Sequence, residues 1–305
     1  MAKKGRLARK KWRRQHQKEE QSKKRRKIES HRVRADETAI SVRGPFIPFA
    51  KDEKVLLVGE GDFSFALSII SEGYIEPTNL IATSFDTLEQ LEEKYPLVAK
   101  ANVSALRNLK VGKILHGIDA TKLNQTLKLS ENPKKVNKNR TSLGGFKINL
   151  VMFNFPHVGR GIKDQDRNIK ANQELLVAFY ESCKEFFDLL AKNRQQEQTA
   201  ENGGKLRNDG DIDKIAVTVF EGEPYESWHV KDLAKSTINY KVRRSGKFDW
   251  KAYEGYHHRK TVGMQDTTKA AYERKARIYL FEKFRKAITR KRKYETDDES
   301  SDDAD

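Results

Sequence analysis

Residues that could hold a nucleotide-like cofactor follow the first apolar run of the chain, in the stretch VLLVGEGDFSF (55–65). The two glycines allow the backbone to turn tightly and to approach a ligand without a Cβ in the way, and acids stand beside them. A G-x-G pair on its own occurs in many unrelated turns. The loop is therefore a candidate cofactor site, formed by Gly59, Glu60, Gly61, Asp62, Phe63 and Ser64.

The glycine spacing of this loop matches neither common nucleotide-binding pattern in full. A dinucleotide loop needs a third glycine at the position of Ser64. The usual methyltransferase loop has an acid two residues before its first glycine and a further glycine after the second, and Leu57 and Phe63 occupy those places. The loop alone leaves both cofactor classes open.

Two further acids end the next two apolar runs, Asp86 after NLIATSF and Asp119 after KILHGI. In open α/β sheets, ligands bind beyond the carboxyl ends of the strands, so both acids are expected near the glycine loop. Asp86 is placed to accept hydrogen bonds from ribose hydroxyls, and Asp119 could meet an adenine amino group. These positions predict a nucleoside cofactor without selecting its class.

The segment Asn154-Phe-Pro-His157 follows the fourth apolar run. Methyltransferases that act on nucleobase nitrogens carry a similar Asn/Asp-Pro-Pro-aromatic tetrad there, which holds the target nitrogen and stacks on the base. Asn154, Pro156 and His157 are therefore the candidate catalytic residues, with His157 stacking on the base or taking a proton. The alternative is structural, with Asn154 capping a turn and His157 a surface histidine.

Two segments are candidates for contact with RNA. GRGIKDQDRN (159–168) offers Lys163 and Arg167 for phosphates. GYHHRKT (255–261) interleaves aromatic and basic residues, as base stacking and backbone contact require, and its candidates are Tyr256, His257, His258 and Arg259. The adjacent histidines lack acidic or thiol companions at ligand spacing, so no metal site is predicted.

Apolar runs of strand length alternate with helical patterns between about residues 50 and 285, which predicts an α/β fold. The predicted sheet is Rossmann-like and methyltransferase-type, with seven strands that are mostly parallel, an antiparallel last strand, and helices on both faces. The single cysteine, Cys183, lies on the apolar face of a long helix over 164–190, as a core residue.

The predicted strands are 54–58, 79–86, 113–119, 148–159 running into a loop, 214–222, 240–245 and 276–284. The other predicted helices are 65–71, 87–96 and 227–236. Loops are predicted at 128–145 and 193–213, and an active-site loop at 246–274.

The net charge of +17 predicts a polyanionic partner, either nucleic acid or an anionic membrane surface. Residues 1–48 form a basic arm that we expect to be disordered when free. Residues 49–285 form the folded domain, and residues 286–305 form a tail that is first basic and then acidic. No apolar run approaches the length of a membrane span. Of the two polyanions we expect nucleic acid, and we expect no membrane partner.

Several blocks together resemble the eukaryotic 25S-type rRNA (uridine-N(3))-methyltransferase family over about residues 49–285: VGEGDFSFALS, ATSFD, NFPHVGRGIKDQDRNI, GEPYESW and GYHHR. The resemblance implies an S-adenosyl-L-methionine-dependent enzyme of the nucleolus that makes N3-methyluridine in large-subunit rRNA, within the pre-ribosome. We expect a monomer.

Two other functions are weighed against this one. A non-catalytic RNA-binding ribosome-assembly factor on a Rossmann scaffold would show an eroded glycine loop and a lost Asn154 segment, and both are intact. An oxidoreductase is disfavoured by Ser64, by the final pair of strands and by the basic arm.

Overall fold

The computed structural model describes residues 44–129, 143, 147–202, 213–259 and 274–284, with side chains described up to residue 193 in the long helix. The predicted basic arm, except for residues 44–48, and the predicted C-terminal tail lie outside these ranges. Within the described part of the chain, no helix combines the length and apolar character needed to cross a membrane.

A seven-stranded sheet with the order β3-β2-β1-β4-β5-β7-β6 forms the centre of the domain. The first five strands run parallel, and β7 lies antiparallel between β5 and β6. This confirms the predicted sheet, including the insertion of the last strand beside the sixth. The strands are β1 (Val55–Val58), β2 (Leu80–Thr83), β3 (Lys113–Leu115), β4 (Leu150–Asn154), β5 (Lys214–Phe220), β6 (Tyr240–Lys247) and β7 (Ala276–Lys283).

Helices cover both faces of the sheet, as predicted. Those on one face are α1 (Ser64–Ser71), α2 (Leu88–Lys94) and α3 (Val98–Asn108); those on the other are α4 (Leu123–Thr126), α5 (Gln165–Asn202) and α6 (Val230–Ile238). Among the described residues, short 3-10 turns lie at Pro77–Asn79, Glu226–Trp228 and Trp250–Ala252.

The central strands are apolar on both sides because each side packs against helices. In β1, Val55 and Leu57 belong to the core beneath α1 to α3, whereas Leu56 and Val58 belong to the core beneath α4 to α6. An unbroken apolar run, with no polar alternation, is the pattern such a strand requires. Cys183 is buried in the second core, and burial raises the pKa of its thiol, so its predicted place in the core is confirmed.

The long helix differs most from the prediction, because α5 continues to Asn202 through a segment that was predicted to be a loop from residue 193. This segment, NRQQEQTAEN, is polar and was therefore assigned to a loop, but Arg, Gln, Glu and Ala are strong helix formers even without an apolar face. The predicted loop at 128–145 falls largely outside the described residues.

Smaller differences concern strand ends and short helices. The helices α3 and α4 were not predicted, and β2, β3 and β4 end before the acids and loops that the apolar runs lead into. β6 extends to Lys247 into the predicted active-site loop. The 3-10 turn at Trp250–Ala252 lies within the rest of that loop, of which residues 260–273 are not described.

Candidate active site

A cavity of about 570 Å³ opens at the carboxyl ends of the parallel strands. Its volume is typical of small-molecule sites in proteins. Twelve of the seventeen predicted site residues line this cavity, and they come from five separate segments of the chain. They are Gly59, Glu60, Gly61, Asp62, Asp86, Asp119, Asn154, His157, Tyr256, His257, His258 and Arg259.

The turn after β1 brings the backbone into the cavity. Gly59 has a φ of 72°, a left-handed conformation that glycine adopts without strain. A Cβ at this position would overlap the ring of Phe153, which packs against Phe179 of α5. The N–H of Glu60 then donates to the carbonyl of Thr83 at 2.9 Å, which joins the turn to the end of β2.

The Glu60 side chain is buried at the cavity wall, where its Oε2 accepts the N–H of Ala66 at 3.2 Å. Burial raises the pKa of Glu60 from 4.5 to about 8; the Ala66 hydrogen bond opposes the rise and the neighbouring Asp62 adds to it. The carboxyl group is therefore protonated near neutral pH.

Asp62 is also buried, but it is paired. One carboxylate oxygen accepts the N–H of Ser64 at 3.0 Å, and the other accepts Nε of Arg259 at 2.6 Å. Its backbone carbonyl accepts the side-chain amide of Asn102, at 2.8 Å. Asp62 thus fixes the start of α1 and fastens the segment at 256–259 onto the glycine loop.

Phe63 and Ser64, predicted as cofactor-binding residues, do not line the cavity. Phe63 has a φ of 62° and packs in the core edge-on to His116, at 5.5 Å between ring centroids. The Ser64 hydroxyl bonds to the backbone N–H and carbonyl of His257, at 3.1 and 3.3 Å. The contacts of Phe63 and Ser64 hold the loop in shape. Contact of either residue with a cofactor stays a prediction.

The two acids after β2 and β3 reach the same cavity. Both oxygens of Asp86 accept the Lys94 ammonium group, at 2.7 and 2.8 Å. Asp119 accepts the N–H and the hydroxyl of Thr121 through one oxygen, at 2.8 and 2.7 Å, which leaves its other oxygen available to a ligand. Lys94 was not predicted as a site residue.

The segment after β4 is held by β5. Asn154 stands opposite Thr218 in the strand register, and the Thr218 hydroxyl donates to Asn154 Oδ1 at 2.6 Å. Phe155, which has a φ of 50°, donates its N–H to the carbonyl of Thr218 at 2.8 Å. A left-handed conformation is unusual for phenylalanine and costs energy, and such strain concentrates at functional sites.

The two remaining predicted catalytic residues differ in position. Pro156 is buried and does not line the cavity. His157 lines the cavity, and burial lowers the pKa of its imidazole, so the ring is neutral near pH 7. Its Nδ1 accepts the N–H of Gly159 at 2.9 Å.

The segment at 256–259, predicted to contact RNA, folds back over the cavity. Tyr256 stacks parallel to Trp250, with centroids 5.9 Å apart. His258 lies edge-on to Phe155 at 4.7 Å, and burial, aided by Arg274, lowers its pKa to about 4. This arrangement makes the segment part of the cavity wall, and direct contact with RNA stays a prediction.

The predicted phosphate contacts lie outside the cavity. Lys163 and Arg167 are exposed, and the Arg167 N–H caps onto Asp164 at 2.8 Å. Arg160, three residues before Lys163, does line the cavity. Arg160 was not predicted as a site residue.

Sequence reasoning missed several other cavity residues: Phe85, Lys94, Tyr95, Glu174 and Leu175. Phe85 had the clearest signal, since it immediately precedes Asp86 in the sequence; in the structure the residue is 66% exposed. A large exposed aromatic side chain in a cavity suits stacking on a planar ligand. In the described residues, no cluster of histidine, cysteine or acidic side chains could hold a metal ion.

Comparison with known proteins identifies the family of the chain. A family model described as rRNA (uridine-N3-)-methyltransferase BTM5-like matches residues 56–260, more than half of the chain. The chain belongs to this BMT5-like family. The family resemblance predicted from the sequence blocks is thereby confirmed.

Individual relatives of this BMT5-like chain support the same assignment. The 25S rRNA (uridine(2634)-N(3))-methyltransferase of Saccharomyces cerevisiae is 40% identical over 277 residues, which cover 85% of this chain and 82% of the relative. The uncharacterized protein At4g26485 of Arabidopsis thaliana is 28% identical over 211 residues, which cover 68% of this chain and 82% of the relative. A solved NADB-Rossmann superfamily protein from Streptococcus agalactiae aligns at 9% identity with a TM-score of 0.35. The alignment covers 79% of this chain and 66% of the solved one, and nothing below rests on this likeness.

The close approach of Phe153 to Gly59 in this BMT5-like protein leads to a first prediction. Gly59 and Gly73 have nearly the same φ, 72° and 70°, so an alanine at either site meets a backbone cost of about 1–2 kcal/mol. Only at Gly59 would the new Cβ also overlap a ring; at Gly73 nothing lies within 4 Å. We expect Gly59→Ala to lower the free energy of unfolding, measured in urea, about twice as much as Gly73→Ala. Equal losses would contradict the packing of Phe153.

Glu60 leads to a second prediction, on the pH dependence of stability. Its pKa is about 8 in the fold and near 4.5 when unfolded, so the folded state holds the extra proton between these values. Stability is therefore lost as pH rises through that window, by up to about 5 kcal/mol at about 1.4 kcal/mol per pKa unit. Glu60→Gln should remove this loss, so that the variant is more stable than the wild type at pH 8.5 but not at pH 4.5.

The control for Glu60→Gln is Glu72→Gln, which removes an exposed acid near the end of the adjoining helix. Urea unfolding of both variants and the wild type at the two pH values gives the comparison. A Glu60→Gln advantage of the same size at both pH values would show that Glu60 is ionised throughout and would refute the assignment.

Proposed function

We propose that this chain methylates N3 of a uridine in large-subunit rRNA with S-adenosyl-L-methionine as the methyl donor. Membership of the BMT5-like rRNA (uridine-N3-)-methyltransferase family supports the reaction class. The observation that carries the proposal is that one cavity is lined both by acids suited to a nucleoside cofactor and by the Asn154–His157 segment.

The chemistry of the lining residues fits S-adenosylmethionine. The cofactor has ribose hydroxyls, an adenine amino group, an ammonium group and a positively charged sulfur, and all of these suit acceptor or anionic partners. Asp86 and Asp119 would hold the adenosine part, with Phe85 beside them for the adenine ring. Glu60 and Asp62 would hold the positively charged methionine part, since a nearby cation favours the ionised form of a buried carboxyl group.

When bound, the cofactor supplies a methyl group activated by its attachment to cationic sulfur. The residues of the chain then have to place the uridine N3 in line with that methyl group, exclude water and assist loss of the N3 proton. Asn154 and His157 are at the end of the strand beside the glycine loop, which is where the target base would lie. A base inside an RNA stack would have to be turned out to reach them.

Contacts with the rRNA backbone are proposed for the exposed Lys163 and Arg167, which follow Arg160 at the cavity. Tyr256 to Arg259 would border the entering nucleotide. A net charge of +17 favours binding to the phosphate backbone of RNA. Such binding weakens as the salt concentration increases. We further propose that the protein acts as a monomer, in the nucleolus, on the pre-ribosome.

The non-catalytic alternative is an assembly factor that only binds RNA. It would account for the positive charge of the chain but would not require the hydrogen-bonded arrangement of Asn154. Two measurements separate these functions. Isothermal titration calorimetry of the purified protein should detect binding of S-adenosylmethionine. Binding of NADH without binding of S-adenosylmethionine would refute the proposal.

The second measurement uses Asn154→Ala. We expect this change to abolish N3-methyluridine formation while leaving RNA affinity unchanged within error, because basic residues in contact with many phosphates supply most of that affinity. Lys163→Ala is the opposite control: it should weaken RNA binding and make the binding less dependent on salt. An Asn154→Ala variant with full methylation would favour a different catalytic site.

A further inference from the structure

The side-chain amide of Asn154 has its two ends in different surroundings. Thr218 is fully buried in β5, and its hydroxyl donates to the Asn154 carbonyl oxygen at 2.6 Å. The amide nitrogen, Nδ2, is buried and has no hydrogen-bond partner among the described residues. A buried donor without a partner is unfavourable, and its presence at a cavity indicates a ligand that would accept from it.

His157 also presents a donor. The N–H of Gly159 can only donate, so the Nδ1 atom that accepts it carries no proton. The proton of the neutral ring is therefore on Nε2. Asn154 and His157, three residues apart and lining one cavity, thus offer N–H groups.

Donors of this kind match one form of uracil. Neutral uracil has an N–H at N3 between two carbonyl oxygens. When N3 loses its proton, the edge becomes a row of three acceptors, O2, N3 and O4, with a negative charge. Hydrogen bonds from N–H groups to an ionised acceptor are stronger than those between neutral groups, so donors on this edge favour the anion.

We propose that Thr218 is a positioning residue that holds Asn154 as a hydrogen-bond donor, so that Asn154 and His157 bind the target uracil as its N3 anion. The inference rests on the proposed function. The N3–H bond breaks and the proton leaves to water. The N3 electron pair then forms the bond to the methyl carbon, the carbon–sulfur bond breaks with its electrons staying on sulfur, and both charges are neutralised.

Other titratable and charged groups line the same cavity. They are Glu60 and Asp62 after β1, Asp86 after β2, Lys94 and Tyr95 at the end of α2, Asp119 after β3, Arg160 after β4, Glu174 on α5, and Tyr256, His257, His258 and Arg259 in the segment at 256–259. His258 is neutral above about pH 6, because burial lowers its pKa to about 4. These groups are common to the wild type and to the variants below. The difference between two pH profiles therefore isolates the contribution of Thr218 and Asn154.

The main test compares kcat against pH for the wild type, Thr218→Val and Thr218→Ser on a target RNA. Valine keeps the shape of threonine but lacks the hydroxyl, whereas serine retains it. We expect Thr218→Val to lower kcat about 10- to 100-fold at pH 7, with the deficit shrinking as pH rises and free uridine ionises. Thr218→Ser should follow the wild-type profile. Thermal unfolding and S-adenosylmethionine affinity, which should stay near wild type, report on folding.

Asn154→Asp distinguishes a donor from an acceptor at this position. A carboxylate repels the uracil anion, so this variant should be at least as inactive as Asn154→Ala. If Asn154 instead accepted the N3 proton of neutral uracil, the aspartate would retain activity. Retained activity in Asn154→Asp would therefore overturn the inference, as would a Thr218→Val deficit that is equal at every pH.

A substrate change gives a test that does not depend on variants. With 5-fluorouridine at the target position, whose N3 proton is more acidic, the wild-type pH profile should move to lower pH by the difference in acidity. An unmoved profile overturns the inference while N3-methyluridine is still formed. If the wild type forms no N3-methyluridine at any pH, the proposed function fails and this inference fails with it.

Discussion

The site depends on one constraint, which is the burial of polar groups at the edge of the sheet where the parallel strands end. Polar groups that end there are cut off from water and need a hydrogen-bond partner or a ligand. The chain supplies partners at several points: the Thr83 hydroxyl donates to the carbonyl of Leu57, and the Thr218 carbonyl accepts the N–H of Phe155. Two groups at the cavity differ from these: the Nδ2 of Asn154 has no partner among the described residues, and the pKa of Glu60 is raised by burial although its carboxyl group accepts the N–H of Ala66.

The cavity wall is completed by a distant part of the chain. Arg259 joins Asp62, and the backbone of His257 joins Ser64, so the segment after β6 is fastened to the loop after β1. Because Arg259 occupies one oxygen of Asp62, a positively charged ligand group near this loop must share Asp62 with it or rely on Glu60. A cofactor bound beside this loop would therefore be coupled, through neighbouring charges, to the ionisation of Glu60 and to the position of the segment at 256–259.

The sequence predicted the sheet and twelve of the residues that line the cavity, because buried parallel strands leave unbroken apolar runs and the residues after each run meet at one edge. It did not predict Thr218, which lies inside the apolar run of β5 and acquires its role only from the strand register with Asn154. The ion pair of Asp62 with Arg259 joins residues 197 positions apart, which no local pattern reveals. The end of α5 was missed because helix propensity, and not an apolar face, determines it.

The central claim is that this cavity methylates N3 of uridine in rRNA, and nucleoside mass spectrometry tests it most directly. Large-subunit rRNA from cells lacking the protein should have lost N3-methyluridine alone, and restoring the wild-type protein should bring the nucleoside back. Unchanged N3-methyluridine, with the loss of another methylated nucleoside or of none, would contradict the account.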